Sequence, residues 1–229
     1  MNPDRSRSSL VWAILIAMAA GGAGAAALAQ HTRNPIPFAA DVAAPALMVP
    51  IDQLMAISPL PDLVQGSPSA SITIIEYAST TCNHCAAFHE TTWPELKAKY
   101  IDSGRAKFIL REFPLDPLAT ASFMLARCAG SDKRDLLVDR LFSRQKEWAF
   151  VDRPIEALLA IVEQTGMSQI DFEACLKNHE LYEQVNRSRE RAAAAFNIET
   201  TPTFFVDGHK LRGEIAISDF DLIIDPPSK

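Results

Sequence analysis

The sequence predicts an α/β fold whose strands are separated into two groups by a long helical insertion. Two segments rich in β-branched and aromatic residues, 71–78 and 106–113, flank a helical segment, an order typical of a right-handed parallel crossover. Helical residues then extend from 117 to about 196, and strand character returns at 203–206. One α/β domain interrupted by a helical subdomain accounts for this order.

The first 29 residues have the composition of an export signal. Arg5 and Arg7 precede an uncharged run, residues 10–29, that ends in Ala-Leu-Ala. A basic start, an apolar stretch and small residues before a cleavage point are typical of a secretory signal. The run is also about long enough to span a bilayer as an uncleaved anchor. In both cases we expect the rest of the chain to be exported.

Residues 30–65 are predicted to form a proline-rich arm. Proline is excluded from helix interiors and central strands, and seven prolines between positions 30 and 70 leave room only for a short helix near 51–56. The main domain is predicted over residues 66–229, and Gly66-Ser67-Pro68 forms the turn that leads into it.

A Cys-x-x-Cys motif, Cys82-Asn83-His84-Cys85, lies where the first strand gives way to a helix. The first turn of a helix has unpaired N–H groups and the positive end of the helix dipole, and both stabilise a thiolate. We therefore expect Cys82 to be the exposed nucleophile and Cys85 to be the resolving thiol. The His84 imidazole could hydrogen-bond to the Cys82 thiolate or stabilise its charge. A stabilised thiolate makes the corresponding disulfide a strong oxidant.

Two other interpretations of the motif stay open. It could be half of a zinc site, although the two remaining cysteines do not form the second Cys-x-x-Cys that such a site commonly uses. It could also be an inert structural disulfide, because exported proteins commonly oxidise their cysteines. We expect no metal and no organic cofactor.

Local signals predict where several helices and turns begin and end. Pro94 should interrupt the helix that runs from Asn83 to about Ser103, because proline has no N–H to donate. Further signals are a helix that opens at Pro154, a capping arrangement Ser168-x-x-Asp171, a last insertion helix at 183–196, a hairpin turn at Asp207-Gly208 and a closing helix at 215–224.

Thr201-Pro202 precedes the strand that follows the insertion. Proline at the first position of a strand is permitted and can simply mark a sheet edge. The functional interpretation is a cis Thr201–Pro202 bond packed against the Cys-x-x-Cys motif. The backbone of Thr201 would then be free to pair with a bound substrate chain.

Residues 66–225 resemble the DsbA-like branch of the thioredoxin superfamily. That family has a strand, a Cys-Pro-His-Cys motif, an inserted helical subdomain and a cis-proline strand in this order. Cys82, His84 and Cys85 match the motif, whereas Asn83 replaces the usual proline. Since the two central residues tune the redox potential in this superfamily, the replacement leaves the oxidising strength open.

The resemblance implies a thioredoxin-like fold with a helical insertion at about 117–190. It implies that Pro202 is the cis-proline and that Thr201, its variable neighbour, contacts substrate. Glu76 matches a buried acid that this family commonly has beneath the active site, where a carboxyl could relay the proton of the resolving thiol. A solvent-facing strand residue is the alternative for Glu76. His89 is expected to face solvent or to support its helix.

Cys128 and Cys175 are the cysteines that remain if the redox pair is Cys82–Cys85. Some DsbA-like proteins of α-proteobacterial type are similar here and carry a second, structural disulfide in the helical subdomain. The resemblance therefore implies a Cys128–Cys175 bond. Two unlinked buried thiols are the alternative.

Together these features predict a periplasmic thiol:disulfide oxidoreductase that oxidises exported proteins through a mixed disulfide, anchored to the inner membrane if its leader is uncleaved. The expected substrates are unfolded or folding exported proteins with free thiols. The resemblance implies a membrane partner of DsbB type that reoxidises the enzyme. A reductase or isomerase on the same scaffold is one alternative, and a non-catalytic, membrane-tethered binding protein is another.

The net charge of −6 without a basic tract argues against nucleic-acid binding. We also expect a monomer.

Overall fold

A computed structural model describes residues 48–56 and 58–227 of the chain. The predicted leader, residues 1–29, and the first part of the arm, residues 30–47, lie outside the described residues, so both stay predictions. Within the described ranges, every helix is too short or too polar to cross a bilayer.

A five-stranded sheet in the order β1-β3-β2-β4-β5 organises the fold. Strands β2 and β3 pair in parallel, and the other neighbouring strands pair antiparallel. The predicted parallel crossover is therefore confirmed, as is the return of the chain to the sheet after the insertion. The strand bounds are β1 Val64–Gln65, β2 Ile72–Ala78, β3 Ala106–Glu112, β4 Thr203–Val206 and β5 His209–Arg212.

Most of the helices lie between β3 and β4. The helix bounds are α1 Ile51–Leu54, α2 Asn83–Thr91, α3 Trp93–Leu96, α4 Pro117–Cys128, α5 Ser131–Ser143, α6 Gln145–Trp148, α7 Pro154–Glu163, α8 Gln169–Leu176, α9 His179–Phe196 and α10 Ile217–Ile224. A π-helical turn, Lys97–Ile101, continues α3 towards β3. The insertion thus comprises α4 to α9 and ends at Phe196, about six residues beyond the predicted boundary near 190.

The predicted interruption at Pro94 separates α2 from α3. Helix α2 ends at Thr91, and Pro94 takes the second position of α3. Proline is tolerated in the first turn of a helix, because the N–H groups there have no carbonyl partner within the helix. The helix therefore stops before the proline and restarts around it.

Local sequence signals predicted the start of two insertion helices correctly and the start of a third helix too late in the chain. Pro154 opens α7, and the Ser168 side chain caps α8 by accepting a hydrogen bond from the Asp171 N–H, 3.2 Å away. Helix α9 begins at His179, four residues before the predicted start. The reason is Asn178, whose side-chain oxygen accepts the Leu181 N–H at 3.0 Å and so provides an N-terminal cap.

The alternation of side chains along β2 separates two buried clusters. Ile74 and Ala78 face the cluster that contains α2, whereas Ile75 and Tyr77 face the cluster on the opposite side of the sheet. Glu76 has the same parity as Ile74 and Ala78. It therefore points into the interior beneath α2, next to the Cys-x-x-Cys motif.

The described part of the predicted arm belongs to the folded domain. Leu54 is fully buried, and the Val49 N–H donates to the Gly208 carbonyl at 2.9 Å. The Arg111 guanidinium donates to the carboxylate of Asp62 and to the Leu54 carbonyl, at 2.7–2.8 Å. The domain therefore starts well before Gly66, where the sequence placed its boundary.

The hairpin turn between β4 and β5 is confirmed at Asp207 and Gly208. Both residues have a positive φ, 48° and 90°, which is the conformation that a tight two-residue turn requires. A Cβ atom at position 208 would collide with the Val49 carbonyl oxygen. Gly208 therefore serves both the turn and the docking of the arm.

Candidate active site

Cys82 lies at the N-terminal cap of α2, at the point where the loop after β2 turns into the helix. Its N–H donates to the Ser79 carbonyl at 3.0 Å, and its carbonyl accepts the Ala86 N–H at 3.1 Å. Only 8% of the residue is exposed, so Cys82 is less open than the sequence suggested. The reason is the loop at Thr201, whose carbonyl oxygen lies 3.3 Å from the Cys82 Sγ.

The surroundings of Cys82 favour its thiolate. A hydrogen bond from the Cys85 thiol is the largest of the causes that lower the pKa of Cys82 to about 5, against the opposing effect of burial. The backbone N–H groups of Cys85 and His84 lower the pKa further. At neutral pH such a thiol is almost wholly ionised and ready to act as a nucleophile.

Cys85 has the opposite character. It is fully buried, and burial raises its pKa well above the ordinary value of a thiol. The hydrogen bond to Cys82 and the negative charge of Glu76 raise the pKa further. Both cysteines are free thiols in this structure, so the helix carries an ionisable sulfur at its start and a protonated one a turn further in.

The Thr201–Pro202 peptide bond is cis, as the sequence predicted. Both residues are buried, and the Pro202 carbonyl accepts the Gly213 N–H at 2.8 Å. The contact between the Thr201 carbonyl and Cys82 brings the two sequence motifs together across 119 positions of the chain.

His84 is placed at the surface beside the cysteines. Its side chain is 71% exposed, and its Nδ1 lies 3.4 Å from the Glu214 carboxylate. His84 contributes to the lowered pKa of Cys82 through its backbone N–H. The ring itself is thus engaged by an acid that the sequence did not single out.

Glu76 is fully buried and pairs with His89, a residue whose place the sequence interpretation missed. The Glu76 Oε2 lies 2.9 Å from the His89 Nε2. The His89 side chain is 5% exposed, and its ring stacks on Phe142 with ring centres 4.1 Å apart. One signal was available in the sequence: His89 follows Cys85 by four residues, and positions four apart share one face of a helix.

The loop that carries Cys82 is fastened to the helical insertion. The buried Gln145 amide of α6 donates to the carbonyls of Thr80 and Cys82, at 2.7 Å and 3.0 Å. The Thr80 hydroxyl bonds to Ser122 of α4 at 2.5 Å, and the Thr81 hydroxyl donates to Asp116 at 2.5 Å. The insertion therefore helps to set the position of the nucleophile.

The other two cysteines form a disulfide within the insertion. Cys128 at the end of α4 and Cys175 in α8 are bonded, with their Cα atoms 6.2 Å apart. The pairing that the resemblance implied is present, and the alternative of two unlinked thiols is excluded. In the described part of the chain, no group of three or more His, Cys, Asp or Glu side chains is arranged to hold a metal ion.

A cleft of about 410 Å³ lies beside the first turns of α2. Asn83, Ala86 and Ala87 of α2 line one part of it, and Phe150 lines another. Phe150 is a large apolar side chain that is 58% exposed. Polar side chains, among them Glu90 and Lys146, line the rest of the cleft, so both an apolar patch and polar groups lie beside the Cys-x-x-Cys motif.

Comparisons with known proteins agree with this geometry. A family model described as Thioredoxin matches residues 59–226. A protein of Rickettsia conorii, provisionally named a protein-disulfide oxidoreductase, is 32% identical over 165 residues. The alignment covers 72% of this chain and 59% of that protein, so the chain spans about three fifths of this curated relative.

Two solved structures are similar over most of their length. Alpha-DsbA1 from Wolbachia pipientis is 29% identical, with a TM-score of 0.69 over 74% of this chain and 92% of that chain. A protein-disulfide isomerase from Novosphingobium aromaticivorans is 20% identical, with a TM-score of 0.64 over 72% of this chain and 100% of that chain. At this lower identity the second likeness shows the fold alone.

Proposed function

The chain belongs to the DsbA-like branch of the thioredoxin superfamily, and we propose that it is an exported thiol:disulfide oxidoreductase that introduces disulfides into exported proteins. One observation supports this most strongly. Cys82, with its pKa lowered to about 5, lies at the start of α2 against the Thr201 carbonyl, while Cys85 is buried beneath it. Stabilising the thiolate stabilises the reduced form, which makes the disulfide oxidising.

The reaction proceeds by two exchanges. A substrate thiolate attacks the Cys82 sulfur of the oxidised enzyme, the Cys82–Cys85 bond breaks, and the Cys85 sulfur leaves with the electron pair and takes up a proton. A second substrate thiolate then attacks the substrate sulfur of the mixed disulfide and releases Cys82 as a thiolate. The substrate has lost two electrons and gained a disulfide, and the enzyme holds the two electrons as a dithiol.

Substrate binding uses the surfaces on both sides of Cys82. The backbone of Thr201 pairs with an extended substrate chain next to the sulfur. The apolar part of the cleft beside α2, with the exposed Phe150, accommodates an apolar side chain of an unfolded substrate. Such a site selects for unfolded chains, because the backbone of a folded protein is largely paired within its own secondary structure.

The remaining parts of the proposal concern the compartment and the partner. The leader at residues 1–29 sends the chain to the periplasm, either released or anchored by residues 10–29. The dithiol must return its two electrons to an oxidant, and a membrane protein of DsbB type is the partner proposed for this step. The enzyme acts as a monomer.

The equilibrium redox potential of the Cys82–Cys85 pair against glutathione tests the direction of the reaction. A potential near about −120 mV, the oxidising end of this superfamily, supports the oxidase. A potential near about −270 mV would make the chain a reductase instead. Oxidative refolding of a reduced test protein provides the second measurement, with Cys82→Ser as the inactive variant.

A matched control separates catalysis from a passive binding role. Replacing Cys128 and Cys175 by serine removes two sulfurs, against one in Cys82→Ser, and leaves the proposed redox pair in place. We expect this control to catalyse oxidation and Cys82→Ser to be inactive. If Cys82→Ser catalysed as well as the parent protein, the site would have no redox function and a binding role would replace it.

A further inference from the structure

We propose that Glu76, His89 and Asp139 form the route by which the proton of Cys85 exchanges with solvent. This inference depends on the proposed redox function of the Cys82–Cys85 pair and adds the path that its buried half requires. Cys85 is fully buried at the base of α2, so water cannot take its proton directly.

The first link joins Cys85 to Glu76. Glu76 is fully buried on the face of β2 that points beneath α2, and its charge raises the pKa of Cys85. Its Oε2 is bonded to His89, but its buried Oε1 has no hydrogen-bond partner among the described residues. Native proteins rarely leave a buried polar atom unpaired, and such an atom calls for an explanation. Exchange of a proton with Cys85 provides one.

The second link is the His89 ring. Its Nε2 lies 2.9 Å from the Glu76 Oε2, and its Nδ1 lies 4.0 Å from the Asp139 Oδ1. This Nδ1 is also buried without a hydrogen-bond partner within the described part of the chain. An imidazole can release a proton from one nitrogen while the other accepts one, so the ring can pass a proton between the two acids.

The third link opens to solvent through a cleft of about 350 Å³. His89 and Asp139 both line this cleft, together with Trp93, Lys97 and Arg140. The Asp139 side chain is 52% exposed, so it connects the buried ring with water.

The charges around Asp139 are mixed. Burial raises the pKa of Asp139, and the charges of Asp135 and Glu76 raise it further, whereas His89 and Lys97 act in the opposite direction. The net shift of the Asp139 pKa is upward, the direction that favours the protonated carboxyl.

The steps balance in both directions. During substrate oxidation the Cys85 sulfur leaves with an electron pair. The Nε2–H proton of His89 moves to the Glu76 carboxylate and from there to this sulfur, which leaves Glu76 charged again. The His89 Nδ1 then takes a proton from solvent through Asp139. During reoxidation of the enzyme the proton of Cys85 leaves by the same groups in reverse, and no other reactant is consumed.

The test isolates the step in which Cys85 reacts. The reduced full-length protein is mixed with oxidised glutathione, and rapid quenching follows the displacement of glutathione from Cys82 by Cys85. We expect His89→Ala to slow this step by about tenfold, less than the loss of a direct general base, because the route is lengthened and not removed. In His89→Ala, the rate at which iodoacetamide alkylates Cys82 should depend on pH in the same way as in the parent protein.

Rescue by a small base separates proton transfer from packing. His89→Ala opens space next to the cleft, so added imidazole should restore the rate of the Cys85 step. His89→Gln keeps a donor for Glu76 and fills the space, so it should be slow and should not respond to imidazole. If His89→Gln reacts at the parent rate, or if imidazole does not rescue His89→Ala, the route is wrong.

A second pair of variants tests the outlet and does not disturb the buried ring. Asp139→Asn should slow the Cys85 step, whereas Asp132→Asn, an exposed acid on the same helix, should leave it unchanged. Equal rates in these two variants would exclude Asp139 from the route. If the parent protein itself failed to exchange with glutathione, the proposed function would fail first, so the two failures are distinguishable.

Discussion

Cys82 and Cys85 share one turn of helix, yet their surroundings favour opposite protonation states. Cys82 receives hydrogen bonds from the Cys85 thiol and from backbone N–H groups, and these favour its negative charge. Cys85 lies on the buried side of the helix, and both its burial and the charge of Glu76 oppose ionisation of its thiol. The difference allows one sulfur to attack and the other to resolve.

The low pKa of Cys82 should make the stability of the reduced protein depend on pH. The folded-state pKa is about 5, whereas an unfolded cysteine titrates near about 8.5. Between these values the unfolded chain binds more protons, so the free energy of unfolding should rise with pH, by at most about 1.4 kcal/mol per pH unit. The gain is complete above the unfolded pKa and is lost as the pH falls through 5.

Urea denaturation of the reduced protein between pH 5 and pH 9 measures this dependence. Cys82→Ser, denatured under the same conditions, reports every other titrating group. We expect the difference in stability between the parent and this variant to grow with pH across the window. A difference that stays constant would show that Cys82 is not ionised preferentially in the folded state.

The sequence identified the candidate residues of the active site better than it predicted the contacts that these residues make. Glu76 could be proposed because it precedes Cys82 by six positions in a strand, but its burial depends on which face of β2 turns towards α2. His84 was expected to act on Cys82 through its ring, and the structure places that ring against Glu214. Glu214 lies 130 positions away, a separation that no local pattern reveals.

At the scale of elements, the loop before α2 depends on the insertion for its position. Gln145 of α6 is buried and holds the carbonyls of Thr80 and Cys82 with one amide group. Carbonyls at the start of a helix and in a buried loop need such partners, because unpaired polar groups in the interior cost free energy. The insertion thereby fixes the sulfur relative to the Thr201 carbonyl.

Gln145→Leu should destabilise the protein and disturb the active site together. It removes both hydrogen bonds from buried carbonyls, which should cost about 2–3 kcal/mol in the free energy of unfolding. Freeing the loop should also slow the reaction of Cys82 with oxidised glutathione. Urea denaturation and stopped-flow exchange measure the two effects.

Gln169→Leu is the matched control for this change. Gln169 is exposed at the start of α8, and within residues 48–56 and 58–227 its amide bonds only to the exposed Glu173. We expect the control to alter the stability by less than about 0.5 kcal/mol and to leave the exchange rate unchanged. Equal effects of the two variants would mean that Gln145 has no particular role in holding the loop.

Element boundaries could be predicted where a local rule sets them. Pro154, Ser168 and the Asp207-Gly208 turn act through their own backbone or through residues a few positions away, and each was located correctly. The two-residue strand β1 and the packing of the arm depend on contacts with β3 and with Arg111. These contacts join distant parts of the chain, so composition alone suggested a loose arm.

For the whole molecule, a buried ionic cluster links the α/β part to the insertion. Glu112 at the end of β3 accepts hydrogen bonds from Arg127 of α4 at 2.7 Å and 3.0 Å and from Arg134 of α5 at 3.3 Å. Burial alone would raise the pKa of Glu112, but the charges of Arg127 and Arg134 hold it below the ordinary value. The Glu112 carboxylate therefore links two helices of the insertion, α4 and α5, to the end of β3.

Glu112→Ala should be strongly destabilising. It removes the buried carboxylate from the guanidinium groups of Arg127 and Arg134, although Arg134 keeps its contact with the partly exposed Asp135, and breaking a buried ion pair typically costs about 3–5 kcal/mol. Glu147→Ala breaks an exposed pair with Arg144 and should have a much smaller effect on stability, because solvent screens exposed ion pairs. Thermal or urea unfolding compares them, and similar losses would contradict a linking role for Glu112.

The disulfide between α4 and α8 acts on the whole chain through its unfolded state. Cys128 and Cys175 are 47 positions apart, and closing a loop of that length should restrict the unfolded chain by about 4 kcal/mol at most. Replacing both by serine should lower the urea midpoint of the oxidised protein. It should also increase the m-value, because an unlinked unfolded chain exposes more surface.

The oxidised Cys82–Cys85 pair provides the internal control, since it closes a loop of only a few residues. Replacing both of these cysteines by serine also removes one disulfide. That disulfide restricts little of the unfolded chain, so the m-value should stay unchanged. The Cys128→Ser/Cys175→Ser protein should also respond less to a reductant than the parent protein does. If its urea midpoint and m-value equal those of the oxidised parent, the second disulfide does not stabilise the fold, and the insertion would be held by packing and by the Glu112 cluster alone.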